Sequence, residues 1–195
     1  MLKICLICNC SSFTSINLSN FKTINAKDMS YLFGNCYLLK ELDLLSFDTS
    51  NVISMKNLFF NCYSLTSLNI SNFNTENVQD ISYIFSNCSN LKIIDVSNFN
   101  THLVVNMSGM FNNCASLVSL DLFNFNTYNV IDISKMFYFC SNLLYLNMAS
   151  FYLYQVEKYE TIFDGCYHLN LTIAADYCYK IIDKIPDYVT VNEII

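Results

Sequence analysis

A chain of 195 residues with a formal charge of −6 and no cluster of Lys or Arg lacks the basic stripe that a nucleic-acid partner calls for. Hydrophobic residues make up 53% and aromatics 15%, which excludes intrinsic disorder and supplies a core along the whole chain. With only 3 Gly and 1 Pro, the turns fall to Asn, Asp and Ser, whose side chains bond the local backbone and tolerate its left-handed region.

The chain opens on Met1-Leu2-Lys3-Ile4-Cys5-Leu6-Ile7-Cys8. This apolar run is too short and too soon followed by polar residues for a signal peptide, and it reads as the tail of a degenerate repeat. Cys5 and Cys8 have the C-x-x-C form, but one such pair with no second pair or neighbouring His is weak evidence for metal or redox chemistry. No apolar run reaches the roughly 18 residues of a membrane span.

From Cys10 onward a cysteine returns every 26 residues, at Cys36, Cys62, Cys88, Cys114, Cys140 and Cys166. A fixed period without insertion marks a repeat array in which each unit packs on its neighbours. Three residues after each cysteine stands Phe13 and then a Leu, from Leu39 to Leu169; six and eight after stand apolar pairs such as Leu42 with Leu44 and Ile94 with Val96. That alternation has the period of a short strand with one buried face. Eleven after comes Phe21, repeated through Phe151 and ending in Tyr177, with a Thr two residues on from Thr23 to Thr127 in a turn-forming context. Val52, Met55, Leu58 and Phe59, with their counterparts in other units, lead on to the next cysteine. Their spacing of three and four fits a short helix or single helical turns with one apolar stripe.

The cysteines fall between that Phe and the strand Leu, so buried, reduced thiols are expected. Residues stacked in register lie about 4.8 Å apart with parallel Cβ vectors, wider than a disulfide prefers. Stacking these units predicts an α/β fold: a curved solenoid with short parallel strands on a concave face and short helical segments on the other. It spans residues 1–176 as about six to seven repeats, with 177–195, which hold Pro186, as a C-terminal cap. After Cys166, Leu169 to Ala174 regains the strand pattern if one residue is dropped.

The runs Cys62-Tyr63-Ser64-Leu65-Thr66-Ser67-Leu68-Asn69-Ile70-Ser71-Asn72-Phe73-Asn74-Thr75 and Val104-Val105-Asn106-Met107-Ser108-Gly109-Met110-Phe111 resemble the BspA-like leucine-rich-repeat surface proteins. Their repeat has the shape M-x-x-M-F-x-x-C-x-x-L-x-x-L-D-L-S-x-F-x-T-x-x-V. The resemblance runs from Cys10 to Cys166 and implies a leucine-rich-repeat solenoid that acts as a surface or secreted adhesion module in microbes. It brings no catalytic residues. An intracellular or structural interaction scaffold, as a truncated paralogue, is the alternative.

Repetition sets the same residue along a line and works against a converging catalytic cluster, and His102 and His168 occupy unrelated phases of the repeat. Neither an enzyme, a cofactor nor a metal is therefore expected. Seven after each cysteine, between the two buried strand positions, stand Asn17, Asp43, Asn69, Asp95, Asp121 and Asn147. Alternation puts them on the exposed strand face, where they serve as a solvated polar row or as a ligand surface. Ile93, Phe123 and Tyr145 beside them add exposed apolar character. The candidate partner-binding set is thus Asp43, Asn69, Asp95, Asp121, Asn147, Ile93, Phe123 and Tyr145, facing a protein or glycan ligand.

Overall fold

The computed structural model describes Asn9 and residues 12–194, so Cys5, Cys8 and Cys10 lie outside the described residues. Its named elements are β1 (Ser119–Asp121), β2 (Tyr145–Met148), β3 (Asn170–Ala174), α1 (Ala175–Ile182) and β4 (Thr190–Ile194). The four strands form one parallel sheet in the order β1-β2-β3-β4. Ser119 lies opposite Tyr145, one full repeat later. Tyr145 lies opposite Asn170, so the register across β2 and β3 shortens by the one residue that the sequence pattern drops after Cys166.

A strand was expected in every unit, but the equivalent segments near residues 41–43, 67–69 and 93–95 form no named strand. The bonds there explain the difference. Lys40 N–H to the Thr14 carbonyl, Thr66 to Lys40 and Val118 to Lys92 measure 3.2, 3.5 and 3.4 Å, at or past the long end of the roughly 2.7–3.2 Å expected of such bonds. From Leu144 to the Val118 carbonyl the distance falls to 2.8 Å, and a regular ladder begins.

The opposite side departs from expectation more sharply. The Val, Met and Leu-Phe stretches are not helical; α1 is the one α-helix among the described residues. Each stretch is a chain of tight turns, such as Leu32 N–H to the Met29 carbonyl and Cys36 N–H to the Phe33 carbonyl. Two residues per unit, four apart, hold positive φ: Tyr31 at 61° and Asn35 at 63°, then Asn57 and Asn61, Tyr83 and Asn87, and onward to Gly165. An L residue in the left-handed region cannot continue a right-handed helix, so the helical hydrogen bonds never form. Alternate amides instead point along the stack. Met29, Tyr31, Phe33 and Asn35 donate to the carbonyls of Ser54, Lys56, Leu58 and Phe60 at 3.0, 3.0, 2.9 and 2.7 Å, and the pattern repeats unit by unit as far as Phe139.

The side opposite the strands is thus held by main-chain hydrogen bonds and not by packed helices, which would set successive units about 8–10 Å apart.

Side chains stack inside the two rails. Phe33, Phe59, Phe85, Phe111, Phe137 and Phe163 form one column with ring centroids 5.5 to 5.9 Å apart. Cys36 to Cys166 are buried beside it, and Cys62 to Cys166 are free thiols. From Cys62 on, each donates its S–H to the carbonyl of a Phe 29 residues earlier, Cys88 to Phe59 at 3.3 Å for example. A second clamp comes from the buried threonines. Thr75 Oγ1 donates to the Asn100 carbonyl at 3.0 Å and accepts the Asn100 N–H at 2.7 Å. Thr23, Thr49, Thr101 and Thr127 do the same one unit apart. Both halves of a buried hydroxyl are thereby satisfied, which makes its burial affordable.

Two positions at the ends leave the pattern. Phe13, in the phase of the fully buried Leu39 and Leu65, is 52% exposed. Tyr177, in the phase of the buried Phe residues, is 50% exposed because it sits on α1 rather than at a corner. α1 turns Cys178 and Ile181 inward, and its Lys180 Nζ donates to the Tyr154 and Val156 carbonyls at 2.6 and 2.9 Å. β4 then covers the edge of β3.

Candidate functional site

The strand face is built from residues five, seven and nine after each cysteine. Their intervening neighbours point inward as Leu42 and Leu44, Ile94 and Val96, or Leu120 and Leu122, all buried, so the alternation read from the sequence does set these rows outward. Ile93 is 71% exposed and Phe123 and Tyr145 are 62% exposed each. Asp43, Asn69, Asp95 and Asp121 are exposed and Asn147 is half-buried.

The polar row has a structural task. Asp43, Asp95 and Asp121 each accept, through Oδ1, the backbone N–H two residues on, from Leu45, Ser97 and Phe123 at 3.0, 2.9 and 3.0 Å. Asn69 and Asn147 take the same bonds from Ser71 and Ala149 at 3.1 and 3.0 Å. Each residue therefore caps the turn that ends its strand segment, where Asn and Asp are interchangeable because both offer the same oxygen. The Ser97 hydroxyl, with the Ser97 amide, holds the Asp95 carboxyl below its ordinary value and keeps it ionised. In every case one side-chain oxygen is committed to the turn.

Six of the eight candidate residues gather in two adjoining shallow depressions. One, of about 360 Å³, is lined by Ile93, Asp95, Ser97, Ser119, Asp121 and Phe123. The next, of about 310 Å³, shares Ser119 and Asp121 and adds Tyr145, Asn147, Asn170 and Thr172. Asp43 and Asn69 stand further along the same row and line neither. Asn170, Thr172 and the neighbouring Asn192 were not foreseen as face residues. The signal was present: the register shift after Cys166 moves Asn170 and Thr172 outward, and Thr190-Val191-Asn192 alternates as a strand does.

No three His, Cys, Asp or Glu side chains among the described residues are placed to hold a metal ion. Among the same residues no helix is long and apolar enough to cross a membrane.

Two overlapping stretches, residues 5–93 and 66–177, match the family model described as Mycoplasma protein of unknown function, DUF285. The chain belongs to this family. No curated protein and no solved structure matches it. The two DUF285 matches together cover both rails, the cysteine column and the depressions from Ile93 to Asn170, and they end within α1. The exposed strand face is thus part of the DUF285 repeat itself, while β4 lies beyond it.

Proposed function

We propose that this DUF285 chain is a leucine-rich-repeat solenoid of the BspA-like kind, a non-enzymatic binding and adhesion module displayed at the cell surface or secreted. It recognises a protein or glycan through the exposed strand face. The observation that carries the reading is a cluster: Ile93, Phe123 and Tyr145 stand exposed beside capped Asp and Asn side chains around two adjoining depressions, whereas Leu45, the one large apolar residue in these rows of the earlier units, is exposed but lines neither. In the equivalent rows of earlier units the residues are mostly Ser, which satisfies solubility alone. Large exposed apolar side chains inside a polar rim are the composition of binding patches.

The test is a fourfold variant, Asp95→Asn, Asp121→Asn, Phe123→Ser and Tyr145→Ser, compared with the parent chain on arrays of proteins and glycans and on whole cells. Every ligand held by the parent should be lost or weakened at least about tenfold by the variant, the scale set by removing several central contacts. Unchanged binding would reject the strand face as the site.

A further inference from the structure

The chain's ten basic residues are all lysines, and none occupies the outward rows of the strand face. Those rows carry Glu41, Asp43, Asp95 and Asp121, with Lys40 and Lys92 exposed at their edge, one residue before Glu41 and Ile93. Among the described residues the ion pairs are Lys158 with Asp132 and Lys184 with Asp183, both away from this face. Asp95 and Asp121 stand in the same phase of adjacent units and line one depression together with Ile93 and Phe123. Their Oδ1 atoms cap turns, and among the described residues neither carboxylate is in an ion pair.

An apolar patch bordered by these carboxylates matches a ligand that alternates cations with aliphatic or aromatic groups. A neutral glycan would leave the carboxylates without a counter-charge and would gain little from Ile93. A polypeptide carrying Lys or Arg supplies both components, and its cations need only reach two exposed carboxylates that are already oriented by the turn caps. Resting on the strand-face reading above, we infer that the occupant is a basic peptide segment, with apolar side chains on Ile93, Phe123 and Tyr145 and its cations at Asp95 and Asp121.

The repeat supplies its own controls. Asn holds the turn at Asn69 and Asn147 in the phase of Asp95 and Asp121, so Asp95→Asn with Asp121→Asn removes charge and keeps the cap. Ser occupies the phases of Ile93 and Phe123 at Ser67 and Ser97, so Ile93→Ser with Phe123→Ser removes apolar surface and keeps the fold. Fluorescence anisotropy on the whole chain would use a short peptide of alternating Lys and Leu, its Glu-for-Lys counterpart and a panel of neutral oligosaccharides. The Lys-Leu peptide should bind, the Glu-Leu peptide should not, and each double variant should weaken binding about tenfold with an unchanged melting temperature. Glu157→Gln with Glu160→Gln, on the other side of the molecule, should leave it unchanged.

Equal loss in that last variant would mean attraction by net charge alone and would overturn the inference. So would an oligosaccharide that binds, and is lost in the Ile93→Ser, Phe123→Ser chain, while the Lys-Leu peptide does not; the strand face would then stand with a different occupant. If no probe responds to either strand-face variant, both the inference and the reading beneath it fail.

Discussion

At the scale of single residues, small polar and sulfur-bearing side chains hold this molecule together because each meets the main chain of a neighbouring unit. The cysteines show it most plainly. Burial pushes the thiols of Cys62, Cys88, Cys114 and Cys140 far up, and those of Cys166 and Cys178 to about 12. The unfolded chain loses these protons near the ordinary value of 9.0 while the folded chain retains them. Folding stability is therefore fully present below that pH and falls as the pH climbs from 9 toward 12. Urea midpoints should be flat between about pH 7 and 8.5 and drop by about pH 10. Iodoacetamide should label the native thiols far more slowly than the urea-unfolded ones. A midpoint that does not move on the alkaline side would contradict the buried column. The same bond to a Phe carbonyl gives a Cys88→Ser hydroxyl an acceptor within reach, which limits its cost to the lower part of about 1–3 kcal/mol.

At the scale of elements, the strand side was legible and the other side was not. Period two in Leu120-Asp121-Leu122 has one physical reading, and the rows it sets outward are the rows found outward. Spacings of three and four in Val52, Met55, Leu58, Phe59 and Cys62 have two readings. Right-handed turns interrupted every fourth residue by a left-handed one repeat their inward positions almost as a helix does. The clue was the Asn that precedes Cys36, Cys62, Cys88 and Cys114, a residue that tolerates positive φ; Phe139 and Gly165 in the same phase obscured it. These asparagines also bond one another in a row, Asn61 Nδ2 to Asn35 Oδ1 and Asn87 Nδ2 to Asn61 Oδ1 at 2.7 Å each, and Asn113 to Asn87 at 2.9 Å. Replacing Asn87 separates the two roles. Asn87→Gly keeps the backbone and loses the amide bonds, at about 1 kcal/mol; Asn87→Val adds left-handed strain and should cost about 2–3 kcal/mol in chemical denaturation. Equal losses would show that positive φ is no constraint at this position.

At the scale of the molecule, almost every stabilising contact repeats at one interval, so a unit is exchangeable and a fraction of a unit is not. Excision of residues 63–88 brings Phe59 against Phe111 and Asn61 against Asn113, contacts of the kind already present, and should give a shorter protein with the same far-ultraviolet circular dichroism per residue. Excision of 76–88 alone would set inward rows against outward ones and should abolish cooperative melting. The candidate site was legible to the same degree as the strand register. Asp95, Asp121, Ile93, Phe123 and Tyr145 follow from alternation, whereas Asn170 and Thr172 follow only when the one-residue drop after Cys166 is carried through to the face, and Asn192 joins them through the pairing of β3 with β4.

Main-chain bonds on both sides run along the stack, and the first and last units stand at its opposite ends. Tension between the two ends therefore opens one interface at a time, as a zipper opens, and does not load every bond at once. Each unit that peels away releases its 26 residues, about 90 Å of slack when fully extended. A molecule built this way yields to a pull in steps and spreads the work of extension over its length.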